Sequence, residues 1–297
     1  MMDWDKLRIF HAVAEAGSFT HAGDKLNLSQ SAVSRQISAL EDSLKVPLFH
    51  RHARGLILTE QGELLYRTAH EVFGKLAMTE AQLTESKDRP KGTLKITTTV
   101  AFGSTWLAPR MRDFLEVYPE IEVHLILSDR DLDLSMREAD LAIRLSPPRQ
   151  ADLIQRHLLT ARLHIYAAAS YVKNHGQPKS VEELDDHRIV VYGNDTRPPV
   201  PKVNWLLEVG RKDGDMRRPA MSVNNVYAVM QAVQSGAGIG VLPEFMVREG
   251  NDMLHVLPEL EGPQIDAYFV YPEEVRASKR TAVFRDFLLR KVAEAKF

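Results

Sequence analysis

The stretch L-S-Q-S-A-V-S-R-Q-I-S-A-L-E, residues 28–41, decides the first part of the fold. Its apolar side chains recur every three or four residues, which predicts a helix from Gln30 to Leu44 with one buried face. Ser29 is the predicted N-cap of that helix. The opposite face carries hydrogen-bonding groups, namely Gln30, Ser31, Ser34, Arg35 and Ser38. Such groups suit base edges and phosphates in a major groove, so we expect this face to bind DNA.

Two shorter helices are predicted before this one. The first ends at Gly17, and Ser18 caps a second that reaches Leu26. A tight turn at Asn27 follows. The order helix, tight turn, helix is that of a helix-turn-helix DNA-binding module.

A basic segment follows the third helix. Pro47 is expected to stop that helix, and residues 48–58 alternate loosely around Gly55, which predicts a small β-hairpin. The basic side chains of the segment are Lys45, His50, Arg51, His52 and Arg54. Taken alone, either the helix face or the hairpin is more typical of an ordinary solvated surface. Their occurrence in this order favours a DNA-binding module with a basic wing.

A long helix from residue 60 to about residue 87 is predicted next, with Thr59 as its cap. Its apolar stripe has the alternating spacing of a coiled coil and consists of Leu65, Ala69, Val72, Leu76, Thr79 and Leu83. Two explanations of this stripe stay open: coiled-coil dimerisation, and an amphipathic helix packed on its own domain. The second stays open because Ala69 and Thr79 would fill a coiled-coil seam poorly. The polar breaker at residues 88–92 is the predicted linker.

Beyond residue 92 strands alternate with helices, which predicts an α/β domain with a largely parallel sheet. Strands are expected at 94–97, 121–127, 140–145, 163–168, 189–192 and 267–271, and helices at 106–118, 226–234 and 279–295. Gly236, Gly238 and Gly240 follow a helix, unlike the glycines of a dinucleotide-binding fingerprint. We interpret them as a helix C-cap and a turn into a strand.

Length and composition limit the other classes of protein to which the chain could belong. The 297 residues exceed what one hydrophobic core usually holds, and the net charge of −2 means that nucleic-acid binding must come from a local patch. The absence of cysteine excludes disulfides and thiolate metal sites. The first residues do not resemble a signal peptide and no apolar run is long enough to span a bilayer, so a cytoplasmic protein without a membrane partner is expected.

The sequence offers no catalytic constellation. Its second half contains scattered histidines without metal-ligand spacing, at His157, His164, His175 and His187. It also lacks a serine nucleophile elbow. We therefore expect no enzyme activity, no catalytic residues, no metal and no cofactor.

Residues 7–65 resemble the winged helix-turn-helix of LysR-type transcriptional regulators. The motifs that carry the resemblance are A-E-A-G-S-F-T-H-A-G (14–23), the stretch at 28–41, V-P-L-F-H-R (46–51) and L-T-E-Q-G (58–62). It implies that the long helix dimerises, that Arg51 and Arg54 lie in the wing, and that DNA is contacted by Gln30, Ser31, Ser34 and Arg35. Gly23 departs from the family, which usually has alanine there, and should weaken the second helix by up to about 1 kcal/mol.

The resemblance extends through the second half, nearest the glycine-cleavage-activator-like branch of the family. It rests on L-A-P (107–109), S-D (128–129), D-L-A-I-R (140–144), V-N-N (223–225) and G-A-G-I-G-V-L-P (236–243). It implies an α/β effector domain with the fold of periplasmic solute-binding proteins, in which two crossing strands join two lobes. The implied divisions are a DNA-binding domain at 1–58, a linker and dimerisation helix at 59–92, and an effector domain at 93–297. Within the last, lobe I holds 93–162 and 267–297, and lobe II holds 163–266.

A small-molecule effector is expected between the lobes, where strand ends and helix starts line a crevice. The candidate contacts are Thr98, Thr99, Ser104, Ser128, Asn224 and Asn225. Hydroxyls, amides and helix N–H groups favour an anionic group such as a carboxylate, although each residue is equally an ordinary cap or turn residue. Arg144 either clamps a carboxylate or pairs structurally with Asp140 or Asp129. Ala101 and Phe102 favour an organic ligand.

The sequence thus predicts a transcription regulator whose DNA binding responds to an effector. Its expected partners are double-stranded DNA with a pseudo-palindromic operator, the effector, and further copies of the chain, as a dimer through the linker helix and as the tetramer usual in the family. Contact with RNA polymerase is left open. Two alternatives are a solute-binding protein, which the N-terminal module opposes, and an architectural DNA-binding protein without a ligand. The effector, the target genes and the choice between activation and repression are not encoded in any motif.

Overall fold

The computed structural model describes residues 3–52, 55–84, 90–147, 153–193, 198–212, 214–247, 250 and 252–295. The chain divides into two compact units near residue 85. Among the helices in these ranges, none combines the length and the apolar character that crossing a membrane requires.

The N-terminal unit is a winged helix-turn-helix followed by a long helix. Its elements are α1 (Trp4–Ala16), α2 (Phe19–Leu26), α3 (Gln30–Leu44), β1 (Phe49–His52), β2 (Gly55–Leu58) and α4 (Glu60–Thr84). Gly17 ends α1 at a φ of 60°, and Asn27 ends α2 at a φ of 54°. Ser29 caps α3 by accepting a hydrogen bond from the Ala32 N–H at 3.2 Å. Short-range signals therefore fix all three helices, as the sequence predicts.

The core of this unit lies between the apolar faces of α1 and α3. Its buried members include Leu7, Phe10, Val13, Ala22, Val33, Ile37, Leu40 and Leu48. Gly23 is also buried, and a Cβ there would lie 2.6 Å from the carbonyl oxygen of Leu28. Alanine would push against the backbone of the turn, so glycine is more than a weak helix former at this position.

The wing differs from the prediction in two details. α3 ends at Leu44, as predicted, but the residue that ends it is Lys45, with a left-handed φ of 58°, and not Pro47. β1 and β2 pair antiparallel with His52 opposite Gly55, so Gly55 is the first residue of β2.

The stripe along α4 starts inside the unit's own core. Ala69 is 1% exposed, and Leu65 packs against the same cluster. The first part of the stripe thus follows the alternative of an amphipathic helix packed on its own domain. Farther along, Leu76 is 46% exposed. The side chains of Thr79 and Leu83 lie outside the described residues, so a coiled coil over this second part stays a prediction.

The C-terminal unit is built on one mixed sheet. Its strands are β3 (Gly92–Thr98), β4 (Ile121–Leu127), β5 (Leu141–Arg144), β6 (Leu153–Ala168), β7 (Ile189–Tyr192), β8 (Met221–Val223), β9 (Ile239–Pro243), β10 (Met253–Val256) and β11 (Gln264–Pro272). Its helices are α5 (Val100–Phe102), α6 (Met111–Val117), α7 (Ala169–His175), α8 (Val226–Gln234) and α9 (Lys279–Glu294). A π-helical turn, Gly103–Leu107, and a 3-10 turn, Ala108–Arg110, join α5 to α6.

The strand order is β4-β3-β5-β11-β6-β9-β7-β8, and β10 pairs with β6. The two flanks are parallel, β4-β3-β5 on one side and β9-β7-β8 on the other. The strands between them, β11 and β6, pair antiparallel with each other and with both flanks. The prediction of a largely parallel sheet is therefore wrong for the middle, where the two crossing strands run. We call the half around β3–β5 lobe I and the half around β7–β9 lobe II.

Strand β6 changes partners within its length. Arg162 pairs with Gln264 of β11, whereas Leu163 pairs with Pro243 of β9. The sequence predicted only the last six residues of β6, 163–168, because the part before them carries exposed polar residues, among them Gln155, Arg156 and His157. The glycine-rich segment follows the prediction in part. Gly236, with a φ of 83°, comes two residues after α8 ends and β9 begins three residues later, but the C-cap of α8 is Ser235 and Gly240 lies within β9.

Candidate DNA interface and effector cleft

The outer face of α3 carries the side chains that the sequence assigns to DNA. Gln30, Ser31 and Arg35 are exposed, and Ser34 and Ser38 are half-buried. The apolar side chains of the opposite face are fully buried: Val33, Ile37 and Leu40. The face is thus available to a partner, and its contact with nucleotides stays a prediction.

A carboxylate that sequence reasoning missed anchors the wing to α3. Glu41 Oε1 accepts hydrogen bonds from the backbone N–H groups of Leu48, at 2.8 Å, and Phe49, at 3.2 Å. Thr59 adds a second anchor, since its hydroxyl donates to the Pro47 carbonyl at 2.7 Å and accepts from the Gly62 N–H at 3.0 Å. The start of the hairpin is therefore held to both α3 and α4.

The two predicted wing arginines are only partly covered by the described residues. The backbone of Arg51 lies in β1, but its side chain is outside the described residues, as is the whole of Arg54. Their roles on DNA stay predictions.

A cleft of about 780 Å³ lies between lobe I and lobe II of the C-terminal unit. Lobe I contributes the ends of β3, β4 and β5 and the residues after them, while lobe II contributes Tyr192, Asn224 and Asn225. The carboxyl ends of parallel strands form such crevices in α/β sheets. The position agrees with the sequence expectation for a ligand site.

Five of the six candidate effector contacts line this cleft: Thr98, Thr99, Ser128, Asn224 and Asn225. Ser104 does not belong to the lining. The sequence placed the helix start at Trp106, but α5 begins at Val100, so Ser104 lies within the π-helical turn, beyond the start. Thr99 is the N-cap instead.

The three candidate contacts with hydroxyl groups, Thr98, Thr99 and Ser128, have partners within lobe I. Thr98 Oγ1 donates to the Ile143 carbonyl at 2.9 Å, and Thr99 Oγ1 accepts from the Phe102 N–H at 3.3 Å. Ser128 Oγ accepts from the Arg130 N–H at 3.1 Å. These hydrogen bonds hold the wall of the cleft in place. They correspond to the cap and turn roles that the sequence analysis gave as the alternative to ligand binding.

Asp129 is one of the polar residues of the cleft that the sequence did not offer as a ligand contact. Its Oδ1 accepts from the Val100 N–H at the start of α5, at 3.0 Å, and its Oδ2 accepts from Asn225 Nδ2 of lobe II, at 3.1 Å. Burial raises the pKa of the Asp129 carboxyl, and the two hydrogen bonds oppose that rise. A carboxylate of the chain thus occupies the helix start where the sequence predicted the anionic group of a ligand.

Asn225 connects this carboxylate to lobe II. Its Oδ1 caps α8 by accepting from the Ala228 N–H at 3.0 Å, as predicted, while its Nδ2 reaches Asp129. One amide therefore joins the start of α8 to the start of α5 across the cleft.

Arg144 lines the cleft, and its side chain is nearly buried at 7% exposure. It pairs with Asp131 at 3.4 Å and donates to the Leu132 carbonyl at 2.7 Å. The predicted structural partners were wrong, because Asp140 instead accepts from the Lys95 N–H. Asp129 accepts from Val100 and Asn225, as described above.

Two family models together match almost the whole chain. The model "Bacterial regulatory helix-turn-helix protein, lysR family" matches residues 4–63, and "LysR substrate binding domain" matches residues 87–293. The second alone spans more than half of the chain.

Curated relatives and a solved structure agree with these models. An HTH-type transcriptional regulator of Xanthomonas campestris is 30% identical, with 98% of this chain and 86% of the relative covered. The HTH-type transcriptional activator TtdR of Escherichia coli is 31% identical, with 95% and 91% covered. The structure of the Vibrio cholerae virulence activator AphB, an LTTR family member, matches with a TM-score of 0.62 at 28% identity, covering 97% of this chain and 99% of that one.

The models and relatives cover both units and agree with the winged helix-turn-helix and the effector unit described above. The branch of the family stays a prediction. The chain belongs to the LysR family of DNA-binding transcriptional regulators, with an N-terminal helix-turn-helix and a C-terminal substrate-binding effector domain.

Proposed function

We propose that the cleft binds a small organic effector bearing a carboxylate, and that this effector controls how the α3 face engages operator DNA. The observation that carries the proposal is a single cleft lined from both lobes, with the guanidinium of Arg144 in its wall. Because the relatives are transcriptional regulators, we propose no catalytic step for the cleft.

The size and chemistry of the cleft support a small organic ligand. Its volume of about 780 Å³ falls within the roughly 300–1,000 Å³ typical of small-molecule sites. Arg144 is nearly buried, whereas its partner Asp131 is 64% exposed and 3.4 Å away. A ligand carboxylate can therefore displace Asp131 and accept two parallel hydrogen bonds from the guanidinium. This two-point contact is stronger and more directional than the single ion pair with Asp131.

The contact between Asp129 and Asn225 supports a role for lobe closure. It is a direct link across the cleft that does not need a ligand. An effector that makes more contacts with the closed arrangement shifts the population toward closure, and only by its differential affinity for the two arrangements.

For the DNA side we propose that Gln30, Ser31, Ser34, Arg35 and Ser38 enter a major groove, while Arg51 and Arg54 contact the backbone. A dimer with two such helices spans half-sites about 34 Å apart, so the operator is a pseudo-palindrome. Tetramers would form through further contacts between effector domains.

Dimerisation through the second part of α4 predicts that Leu76→Ala weakens self-association. Burying a half-exposed leucine at a seam contributes about 1 kcal/mol per chain, so the dimer should lose about 2 kcal/mol, or roughly thirtyfold in dissociation constant. Sedimentation over a dilution series measures it. Leu64→Ala is the matched control, because Leu64 is also on α4 and 65% exposed but lies off the stripe. Equal effects of the two variants would contradict a seam at Leu76.

The effector proposal is tested by thermal unfolding of the full-length protein with a panel of organic acids and amino acids. At least one carboxylate should raise the midpoint, and its affinity should fall at least tenfold in Arg144→Gln, since the two-point contact is lost. Arg112→Gln is the control, because Arg112 is exposed on α6 and pairs with Glu116. No stabilising ligand, or equal loss in both variants, would favour an architectural DNA-binding protein instead.

A further inference from the structure

Three potential metal ligands meet in the N-terminal unit, away from the α3 face. His11 and Glu15 are four residues apart and therefore lie on the same face of α1, while His70 comes from α4. One ligand atom from each residue lies within 4.8 Å of the other two. His11 Nε2 and His70 Nδ1 are 2.9 Å apart.

Aromatic neighbours hold both imidazoles in place. The His11 ring stacks on Tyr66, with 5.5 Å between ring centroids, and contacts Phe73 at 5.2 Å. The His70 ring also lies 5.5 Å from Tyr66. Both histidines are half-buried, and Glu15 is exposed. The site is thus packed against aromatic rings on its inner side and open to solvent on the side of the carboxylate.

We propose that His11, Glu15 and His70 bind a divalent late transition-metal ion, of which zinc is the probe. Two imidazoles and a carboxylate are a donor set that such ions prefer, whereas magnesium and calcium prefer oxygen ligands alone. With three protein ligands, the fourth position is left for water.

The separation of the two histidine nitrogens lies close to what zinc needs. Tetrahedral ligands at about 2.0–2.1 Å from the ion place two nitrogens about 3.3 Å apart. The His11 and His70 nitrogens are 2.9 Å apart and share a hydrogen bond. An ion would replace that hydrogen bond, and both rings would turn so that their lone pairs meet on it.

A bound ion would join α1, part of the helix-turn-helix core, to α4, the long helix that follows the wing. Because the ligands exist together only in the folded unit, metal binding stabilises that unit by mass action. Sequence spacing could not reveal the site, since His70 is separated from His11 by 59 positions.

The test is calorimetric titration of untagged full-length protein, first stripped with a chelator and dialysed, with zinc chloride. We expect one ion per chain. His70→Gln and Glu15→Gln should each lower the affinity at least tenfold, whereas His21→Gln, at an exposed histidine of α2, should leave it unchanged. Cobalt should give the visible absorption bands of a tetrahedral nitrogen and oxygen site in the wild type and lose them in His70→Gln.

Absence of zinc binding by the wild type would overturn the proposal, and so would unchanged affinity in both ligand variants. A loss in His21→Gln equal to that in His70→Gln would show surface histidine binding and would also overturn it. If circular dichroism shows that His70→Gln is unfolded, Glu15→Gln decides, because an exposed carboxylate can be replaced without disturbing the core.

Discussion

Arg35→Ala is expected to weaken selective recognition of the operator strongly while leaving the protein folded. A bidentate arginine contact with a base is worth about 1–3 kcal/mol, and a dimer loses two of them, so specific binding should weaken by about 2–6 kcal/mol, which is at least roughly thirtyfold. Arg35 is exposed on α3, opposite the buried Val33 and Ile37, so the core does not depend on it.

The measurement is a mobility shift with an operator selected from genomic fragments, beside a scrambled fragment of the same length. Arg35→Ala should lose affinity for the operator much more than for the scrambled DNA, because backbone contacts alone carry no sequence information. Arg8→Ala is the control, since Arg8 is on α1 and pairs with Asp5 at 3.6 Å. Selective binding retained in Arg35→Ala would refute the assigned recognition face.

Asp129→Asn is expected to loosen the link between the lobes. The Asp129 carboxylate accepts one hydrogen bond at each oxygen, from Val100 and from Asn225. Asparagine has only one acceptor oxygen, so its amide NH₂ must face one of the two N–H donors and leave that donor unpaired. The Asn225 amide cannot turn round to compensate, because its oxygen would then give up the cap on α8. Leaving one such group unpaired costs about 1–3 kcal/mol, or roughly five- to 150-fold in the ratio of closed to open lobes.

Amide hydrogen exchange of the full-length protein measures this effect. In Asp129→Asn, exchange should accelerate around Val100 and residues 224–226, and not in the N-terminal unit. Asp131→Asn serves as the control, since Asp131 also lines the cleft but pairs with Arg144 of its own lobe. Unchanged exchange in Asp129→Asn would show that the link does not hold the lobes together.

Short-range signals explain why the N-terminal unit could be predicted closely. Gly17, Asn27 and Ser29 act within a few residues of their own positions, so the chain itself carries the helix boundaries. The start of α5 could not be found in the same way, because the π-helical turn Gly103–Leu107 breaks the 3.6-residue period. The apolar pattern therefore becomes visible only from Trp106.

The least predictable parts of the sites depend on contacts between distant positions. Asp129 and Asn225 are 96 positions apart, and no sequence pattern around either residue indicates that the two are in contact. Glu41 lies within residues 28–41, yet its hydrogen bonds go to backbone N–H groups of the wing. Every residue except proline has such a group, so the sequence does not indicate which ones Glu41 binds. Residue types indicated where a cleft should lie, but only the tertiary structure shows which polar atoms are already engaged.

The order in which the chain passes through the sheet affects how the protein is made on the ribosome. β5 of lobe I pairs with β3 on one side and with β11 on the other, and Phe284 of α9 meets Phe114 of the same lobe at 5.3 Å. A nascent chain that has reached β5 must therefore wait for β11, which takes roughly 6–24 s at a synthesis rate of about 5–20 residues per second. During that interval, in which the strands of lobe II are synthesised, lobe I has an open strand edge, a site for aggregation.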